Sequence, residues 1–196
     1  MRISAGKYRG RVLKSLRGME LRPTSGRLRE TLFDVLGDSI QGTIFVDAYA
    51  GTGAVGLEAL SRGASQVYML EEHVAAARVL RKNIALLGAE SETTILRDTV
   101  QHGLRQLERQ KVQADIFFLD PPYEQHARAV RVIEWLSKNQ LMAPNGLIVL
   151  QHSKIEASEP LIGNWQRTRL LTQGSNALSF YRMAKANNAS VKENQI

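Results

Sequence analysis

From residue 43 onward the chain alternates between two periodicities, and that alternation limits the folds open to it. TIFVDAYA reads as a buried strand and is followed by a glycine loop and the helix AVGLEALSRG, which ends at Gly63. QVYMLEE is a second strand, and HVAAARVLRKNIALLG a second helix closed by Gly88. TTILRD, helical VQHGLRQLERQ, the strand ADIFFLD, helical ARAVRVIEWLSKNQLM and the strand NGLIVLQH continue the rhythm. Strands that alternate with helices predict a mostly parallel sheet covered on both faces. The pattern then changes. QRTRLLTQGSNALSFYRM predicts two strands about a Gly174-Ser175-Asn176 turn, a hairpin lying antiparallel at one edge of the sheet.

The segment before residue 43 is of another kind. Residues 1–22 read as short extended pieces joined by Gly6, Gly10 and Gly18, and RVLKSL alternates as a half-exposed strand does. RPTSGRLRETLFDVLGDSI predicts a helix capped by Thr24 or Ser25. Leu28, Leu32, Val35 and Leu36 form its apolar stripe, which leaves Arg27 and Arg29 available to another partner. Residues 1–31 hold nine Lys and Arg against two Glu, so the whole net charge of +7 sits there. A neutral body with a basic arm predicts a polyanionic partner, nucleic acid foremost. The expected organisation is a basic, nucleic-acid-binding extension over 1–42, one α/β domain over 43–185, and a polar tail over 186–196.

Composition excludes several classes. At 43% hydrophobic the chain can bury an ordinary core. No apolar run approaches the roughly 20 residues of a membrane span, and the N-terminus lacks an apolar signal core, so a cytoplasmic protein is expected. There is no cysteine for disulfides, thiolate sites or nucleophiles. His73, His102, His126 and His152 show no metal-ligand spacing with carboxylates, and no metal site is expected. No lysine of the phosphate-loop type follows the glycine loop, and no G-x-S-x-G elbow occurs.

DAYAGTGAVGLEA places Gly51-x-Gly53-x-x-Gly56 at a strand-to-helix junction, with Glu71 twenty residues after Gly51. Taken literally this satisfies the dinucleotide fingerprint. However, Asp47 ends the strand four residues before the first glycine. A carboxylate there repels a pyrophosphate but pairs with an ammonium. S-adenosylmethionine carries an ammonium, a sulfonium and no phosphate. Three acids fall at successive strand ends, where such folds bind ligands. Asp47 is assigned to the methionine end, directly or through water, Glu71 to the ribose hydroxyls with Glu72 as substitute, and Asp98 to the adenine amine. Tyr49, Gly51, Thr52 and Gly53 complete the expected cofactor set.

FFLDPPYEQ, residues 117–125, ends a buried strand on a carboxylate and then stiffens the chain. Pro121 disfavours helix at Asp120, and Pro122 does so at Pro121, so both stay extended. The Asp120 carboxylate and the Pro121 carbonyl then form a stiff pair of acceptors that matches the two N–H groups of an exocyclic amine. Tyr123 offers a ring for base stacking, worth about 1–3 kcal/mol. The lone pair of a nucleobase amine is delocalised into the ring. Two fixed acceptors favour its attacking form and stabilise the charge that develops on nitrogen.

DPPY is one form of the amino-methyltransferase motif shared by adenine-N6 and guanine-N2 methyltransferases. More closely, the chain resembles the bacterial 16S ribosomal RNA guanine-N2 methyltransferase family. RISAGKYRGRVL, LRPTSGRLRETLFDVLG, DAYAGTGAVGLEALSRGA, LDPPY and GSNALSFYR carry the resemblance over about residues 1–183. It implies a class I, Rossmann-like fold with a seven-stranded, mostly parallel sheet and an antiparallel C-terminal hairpin. It also implies S-adenosylmethionine as methyl donor and one guanine of 16S rRNA, in the small ribosomal subunit or its assembly intermediate, as substrate. By position it makes Asp120, Pro121, Pro122 and Tyr123 the catalytic motif. Lys7, Arg9, Arg11, Arg22 and Arg27 are the expected RNA contacts, and a monomer is expected. The chain departs from the family pattern at Asp34, Tyr49, His73 and Gln173. An adenine-N6 DNA methyltransferase, a dinucleotide-binding oxidoreductase and a non-catalytic rRNA assembly factor remain rivals.

Overall fold

The computed structural model describes residues 1–16, 26–122, 126–156 and 158–184. The expected helix cap at Thr24 or Ser25, the catalytic Tyr123, the RNA contact Arg22 and the polar tail lie outside them. Five α-helices, one short 3-10 helix (Gly37–Ile40) and eight strands are present among the described residues. The strands are β1 (Ile44–Asp47), β2 (Gln66–Leu70), β3 (Thr93–Leu96), β4 (Ala114–Leu119), β5 (Met142–Ser153), β6 (Leu161–Ile162), β7 (Trp165–Gln173) and β8 (Asn176–Met183). The helices are α1 (Gly26–Leu36), α2 (Ala54–Ser61), α3 (Val74–Leu87), α4 (Val100–Arg109) and α5 (His126–Leu136). None of them is long and apolar enough to cross a membrane.

All eight strands join one sheet in the order β3-β2-β1-β4-β5-β8-β7-β6. β3, β2, β1, β4 and β5 run parallel, as strands joined by crossover helices must, and β8, β7 and β6 are antiparallel additions. This is the class I methyltransferase architecture. It carries one strand more than the seven expected, because Leu161 and Ile162 pair with Gln166 and Trp165 to form a two-residue edge strand. Gln173 pairs with Asn176 across Gly174 and Ser175, the two-residue turn of the predicted hairpin, with Gly174 at a φ of 61°.

Two core clusters cover the two faces. On one face Phe45, Ile116, Phe118, Leu147, Val149, Leu178 and Phe180 pack with α1, α2, α3 and the N-terminal residues Ile3, Tyr8 and Leu13. On the other, Val46, Phe117, Leu119, Ile148, Leu150 and Tyr181 pack with α4 and α5. Strict alternation along each strand produces this division. The helix predicted over ARAVRVIEWLSKNQLM stops at Leu136. There Ser137 Oγ donates back to the Ile133 carbonyl at 3.2 Å and Asn139 Nδ2 to that of Trp135 at 2.6 Å. Side chains that satisfy a helix's last carbonyls favour its termination, and β5 then begins early, at Met142. RVLKSL makes only an isolated bridge, Arg2 with Val12.

Candidate active site

β2 and β3 lie to one side of β1, and β4 and β5 to the other, so the chain reverses its strand order between β1 and β4. Such a switch point opens a crevice beyond the carboxyl ends of the strands. Asp47 is the last residue of β1, level with Phe118 of β4, and Asp120 follows β4 by one residue. The two strands that flank the switch point thus end on or next to a carboxylate, Asp47 buried and Asp120 half-buried.

The glycine loop leads from β1 into α2. Gly53 has a φ of 89°, and a Cβ there would lie 2.4 Å from Leu80 Cδ1. At Gly56 a Cβ would lie 2.9 Å from Met69 Sδ, so this glycine sets how closely α2 packs on β2. Its N–H donates to Asp47 Oδ2 at 3.0 Å. The other oxygen of Asp47, Oδ1, is buried and has no hydrogen-bond partner. Burial pushes the Asp47 carboxyl up to about 7, against the N–H groups of Gly56 and, more weakly, Tyr49, and with help from the charges of Asp120 and Glu71.

Glu71, just past β2, is held from both sides. Oε2 accepts from the Gly51 N–H and Oε1 from the His73 N–H, each at 2.7 Å. Burial still raises its carboxyl above the usual range, with those two N–H groups opposing. Glu72 is exposed. Tyr49 is half-buried, and burial raises its phenol. The Thr52 carbonyl accepts from Asn83 Nδ2 at 2.8 Å. Asp98 stands apart from the other acids. It is exposed at the start of α4, where Oδ1 accepts from the Thr99 N–H at 2.7 Å and lies 3.1 Å from His102 Nδ1. The Thr99 N–H in particular holds its carboxyl below the usual range. Pro121 is half-buried and Pro122 exposed.

A family model described as conserved hypothetical protein 95 matches residues 1–182. The chain belongs to that family. Ribosomal RNA small subunit methyltransferase D of Haemophilus influenzae is 37% identical over 186 residues, covering 93% of this chain and 92% of that protein. The Escherichia coli protein of the same name is 33% identical over 183 residues, covering 93% and 89%. Among solved structures, the Escherichia coli protein yhhF matches with a TM-score of 0.82 at 30% identity, covering 95% and 99%. An RNA methyltransferase from Salinibacter ruber, solved with S-adenosyl-L-homocysteine, shares the fold with a TM-score of 0.65 at 12% identity.

The family match begins at residue 1, and the structure gives a physical reason for that. The basic segment is docked on α2 through a carboxylate that the sequence pattern did not single out. Glu58 is fully buried. It accepts from the N–H of Ser4 at 3.0 Å, Ser4 Oγ at 2.6 Å, the N–H of Ala5 at 3.1 Å and Arg62 Nε at 2.9 Å. Arg29 Nε lies 3.4 Å from it. This corrects the reading of Arg29 as available. It is 3% exposed, pairs with Glu58 and donates from Nη2 to the Arg2 carbonyl at 2.8 Å, whereas Arg27 beside it is exposed. Gly6 lies flat on the end of α2, where a Cβ would sit 1.7 Å from the Ser61 carbonyl oxygen.

Lys7, Arg9 and Arg11 are exposed on the loop that follows. Lys7 also lies 3.4 Å from Glu92 and 5.0 Å from the Tyr8 ring centroid. The loop is anchored at the far end of α2 from the glycine loop, about 12 Å away for eight residues of helix. The chain returns to the site at Lys14. Its N–H donates to Asn83 Oδ1 at 2.8 Å and its carbonyl accepts from Asn83 Nδ2 at 3.0 Å, so one buried amide ties the basic segment to Thr52. Glu58 and Asn83 could have been suspected only as polar residues on the apolar faces of two predicted helices.

Proposed function

We propose that this protein transfers a methyl group from S-adenosylmethionine to the exocyclic N2 amine of one guanine in the 16S rRNA of the small ribosomal subunit. Two relatives named ribosomal RNA small subunit methyltransferase D, 37% and 33% identical over most of the chain, support rRNA methylation. The observation that carries the chemistry is Asp47 Oδ1, a buried carboxylate oxygen without a hydrogen-bond partner at the end of β1, where the glycine loop begins. An unpaired buried acceptor is destabilising by about 1–3 kcal/mol, and a cationic donor relieves it. The ammonium of S-adenosylmethionine is such a donor, and a pyrophosphate is the opposite. That asymmetry argues against a dinucleotide.

When bound, S-adenosylmethionine supplies a methyl group on a positively charged sulfur. Asp47 would hold its ammonium end, Glu71 its ribose and Asp98 its adenine amine, with Tyr49, Gly51, Thr52 and Gly53 lining the loop. The two N–H groups on Glu71 fix its carboxylate and leave each oxygen a second lone pair for a ribose hydroxyl. Asp120 and the Pro121 carbonyl would accept the two hydrogens of the target amine, and Tyr123 would stack on its ring. Orientation of this kind is worth about 7–11 kcal/mol in good intramolecular models. Asp120 also stabilises the positive charge that grows on nitrogen, and the proton leaves afterwards to Asp120 or to water.

Residues 1–42 form the RNA-binding extension in this reading, with Lys7, Arg9, Arg11, Arg22 and Arg27 as phosphate contacts. Because the loop carrying Arg9 and Arg11 is anchored at the far end of α2, it would grip RNA away from the target base. This favours a folded subunit surface over a short strand. A monomer acting in the cytoplasm completes the proposal.

The test uses S-adenosylmethionine labelled on its methyl group, offered with small subunits that lack their own methylation, with naked 16S rRNA and with duplex DNA. Label recovered as N2-methylguanosine, chiefly from subunits, is the expected outcome. N6-methyladenine from DNA would overturn the substrate. Absence of label in all three would overturn the catalytic reading.

A further inference from the structure

The DPPY motif does not distinguish guanine from adenine, because both present an exocyclic amine. A second polar group beside Asp120 does. β4 and β5 run parallel with Leu119 level with Leu150, so the next residues along, Asp120 and Gln151, are level too. Side chains alternate between faces. Leu147 and Val149 point to the face covered by α1, and the alternation places Gln151 there with them. On β4, Ile116 and Phe118 point to that same face. Pro121 keeps Asp120 extended, so the alternation carries through and brings its carboxylate to the same side. Asp47 follows Phe45 on that side of β1. Strands in a sheet are about 4.8 Å apart, which a glutamine side chain spans with ease.

Gln151 is 8% exposed, and its amide oxygen Oε1 is buried without a hydrogen-bond partner. The register thus places a buried, unpartnered acceptor on the residue level with Asp120. Of the four RNA bases, guanine alone sets its exocyclic amine next to a ring N–H. The amines of adenine and cytosine neighbour ring nitrogens that accept. A carbonyl oxygen in this position attracts the first arrangement and repels the second.

We propose that Gln151 is the base-selecting residue, its Oε1 accepting the guanine N1–H while Asp120 holds the adjoining N2 amine. This rests on the guanine-N2 reading and adds what the motif leaves open. The role is recognition of the base edge, so it acts on the nucleic acid and not on the cofactor.

The experiment compares wild type, Gln151→Met and Gln151→Glu on small subunits that lack methylation, with S-adenosylmethionine affinity measured by calorimetry for each. Gln151→Met keeps the length of the side chain and removes the acceptor. Its kcat/KM for subunits should fall by about 10- to 100-fold with cofactor affinity unchanged. Gln151→Glu retains a carbonyl or carboxylate oxygen and should recover most of the lost rate. Equal rates for Gln151→Met and wild type would overturn the proposal, and so would equal losses in both variants, which would mark a packing role. If Gln151→Met does not fold, Gln151→Leu takes its place with the same readout. Wild type that labels no guanine would instead overturn the guanine reading itself, an outcome separate from any difference among the variants.

Discussion

Glu58 and Asp47 are both carboxylates buried against α2, and they are finished to different degrees. Glu58 receives four hydrogen bonds and a second guanidinium. Burial works against its ionisation, but the donors of Ser4 and Arg62 and the charge of Arg29 prevail and hold its carboxyl below the usual range. Asp47 receives the Gly56 N–H on one oxygen, and burial carries it up to about 7. A carboxylate that completes its own coordination is a fastener. One left half-coordinated at a strand end, near the charges of Asp120 and Glu71, keeps an acceptor in reserve, as the proposed cofactor role requires. Burial alone separates neither from the other; the donors around each do.

The largest expected effect lies on the fastener. Glu58→Ala leaves Arg29 buried without its counter-charge and strips the N–H groups of Ser4 and Ala5. It should therefore lower unfolding free energy by about 3–5 kcal/mol. Asp47→Asn removes an ill-solvated charge and should leave stability at pH 8 equal to or above wild type. Urea unfolding of the two variants side by side checks this, and equal losses would erase the distinction between them.

Next in size is a comparison within the site. Asp120→Ala should reduce kcat on subunits by about 10²- to 10³-fold, as removal of one donor or acceptor to developing charge does, with cofactor affinity within a few-fold of wild type. Asp47→Ala should do the reverse and weaken S-adenosylmethionine by tenfold or more, as loss of a charged partner does, with little effect on subunit binding. Calorimetry and single-turnover rates on both variants separate the roles. A matching profile for the two would merge them into one function.

Proton linkage sharpens the same contrast. The folded-state carboxyl of Glu58 lies below its ordinary 4.5, so its contribution is present above that pH and lost as pH falls through the lowered value. Asp47 has the opposite sign. Its folded value is raised from 3.8 to about 7, so its contribution is full below 3.8 and is lost as pH rises toward 7. Asp47→Asn lacks that loss, and its stability relative to wild type should climb between about pH 4 and 7 and level off above. A difference that stays flat across this window would mean that Asp47 is ionised throughout.

The two carboxylates also differ in how far the sequence announced them. The place of Asp47 was legible because it falls at a strand end in a D-x-x-x-G-x-G loop, a local pattern, and β1 does end there. The mostly parallel sheet and the hairpin at Gly174 followed from periodicity in the same way, whereas the strand order that makes the switch point came only with the structure. Glu58 was not legible. Its partners are 54 residues upstream at Ser4 and 29 residues upstream at Arg29, and no local spacing encodes a contact between segments so distant in sequence. The same blindness made Arg29 look available, since a helical stripe says which residues face the core but not which charge waits there. Gln151 escaped notice for a related reason: it follows the apolar run of β5, and the role proposed for it depends on the residue level with it just past β4.

The smallest expected effect repeats the comparison on basic side chains. Arg27 and Arg29 are two residues apart on α1, one exposed and the other joined to Glu58. Arg29→Gln should lower stability and leave the salt dependence of RNA binding near wild type. Arg27→Gln should leave stability within about 0.5 kcal/mol, as is usual for a surface change. Together with Arg9→Gln and Arg11→Gln, it should flatten the plot of log affinity against log salt by up to about 0.7–0.9 for each phosphate no longer neutralised. Lys7→Gln should flatten it less, since Lys7 is already drawn toward Glu92. If the slope holds steady through the exposed substitutions but drops with Arg29→Gln, the docked arginine orders the surface that meets RNA, and the exposed ones serve solubility.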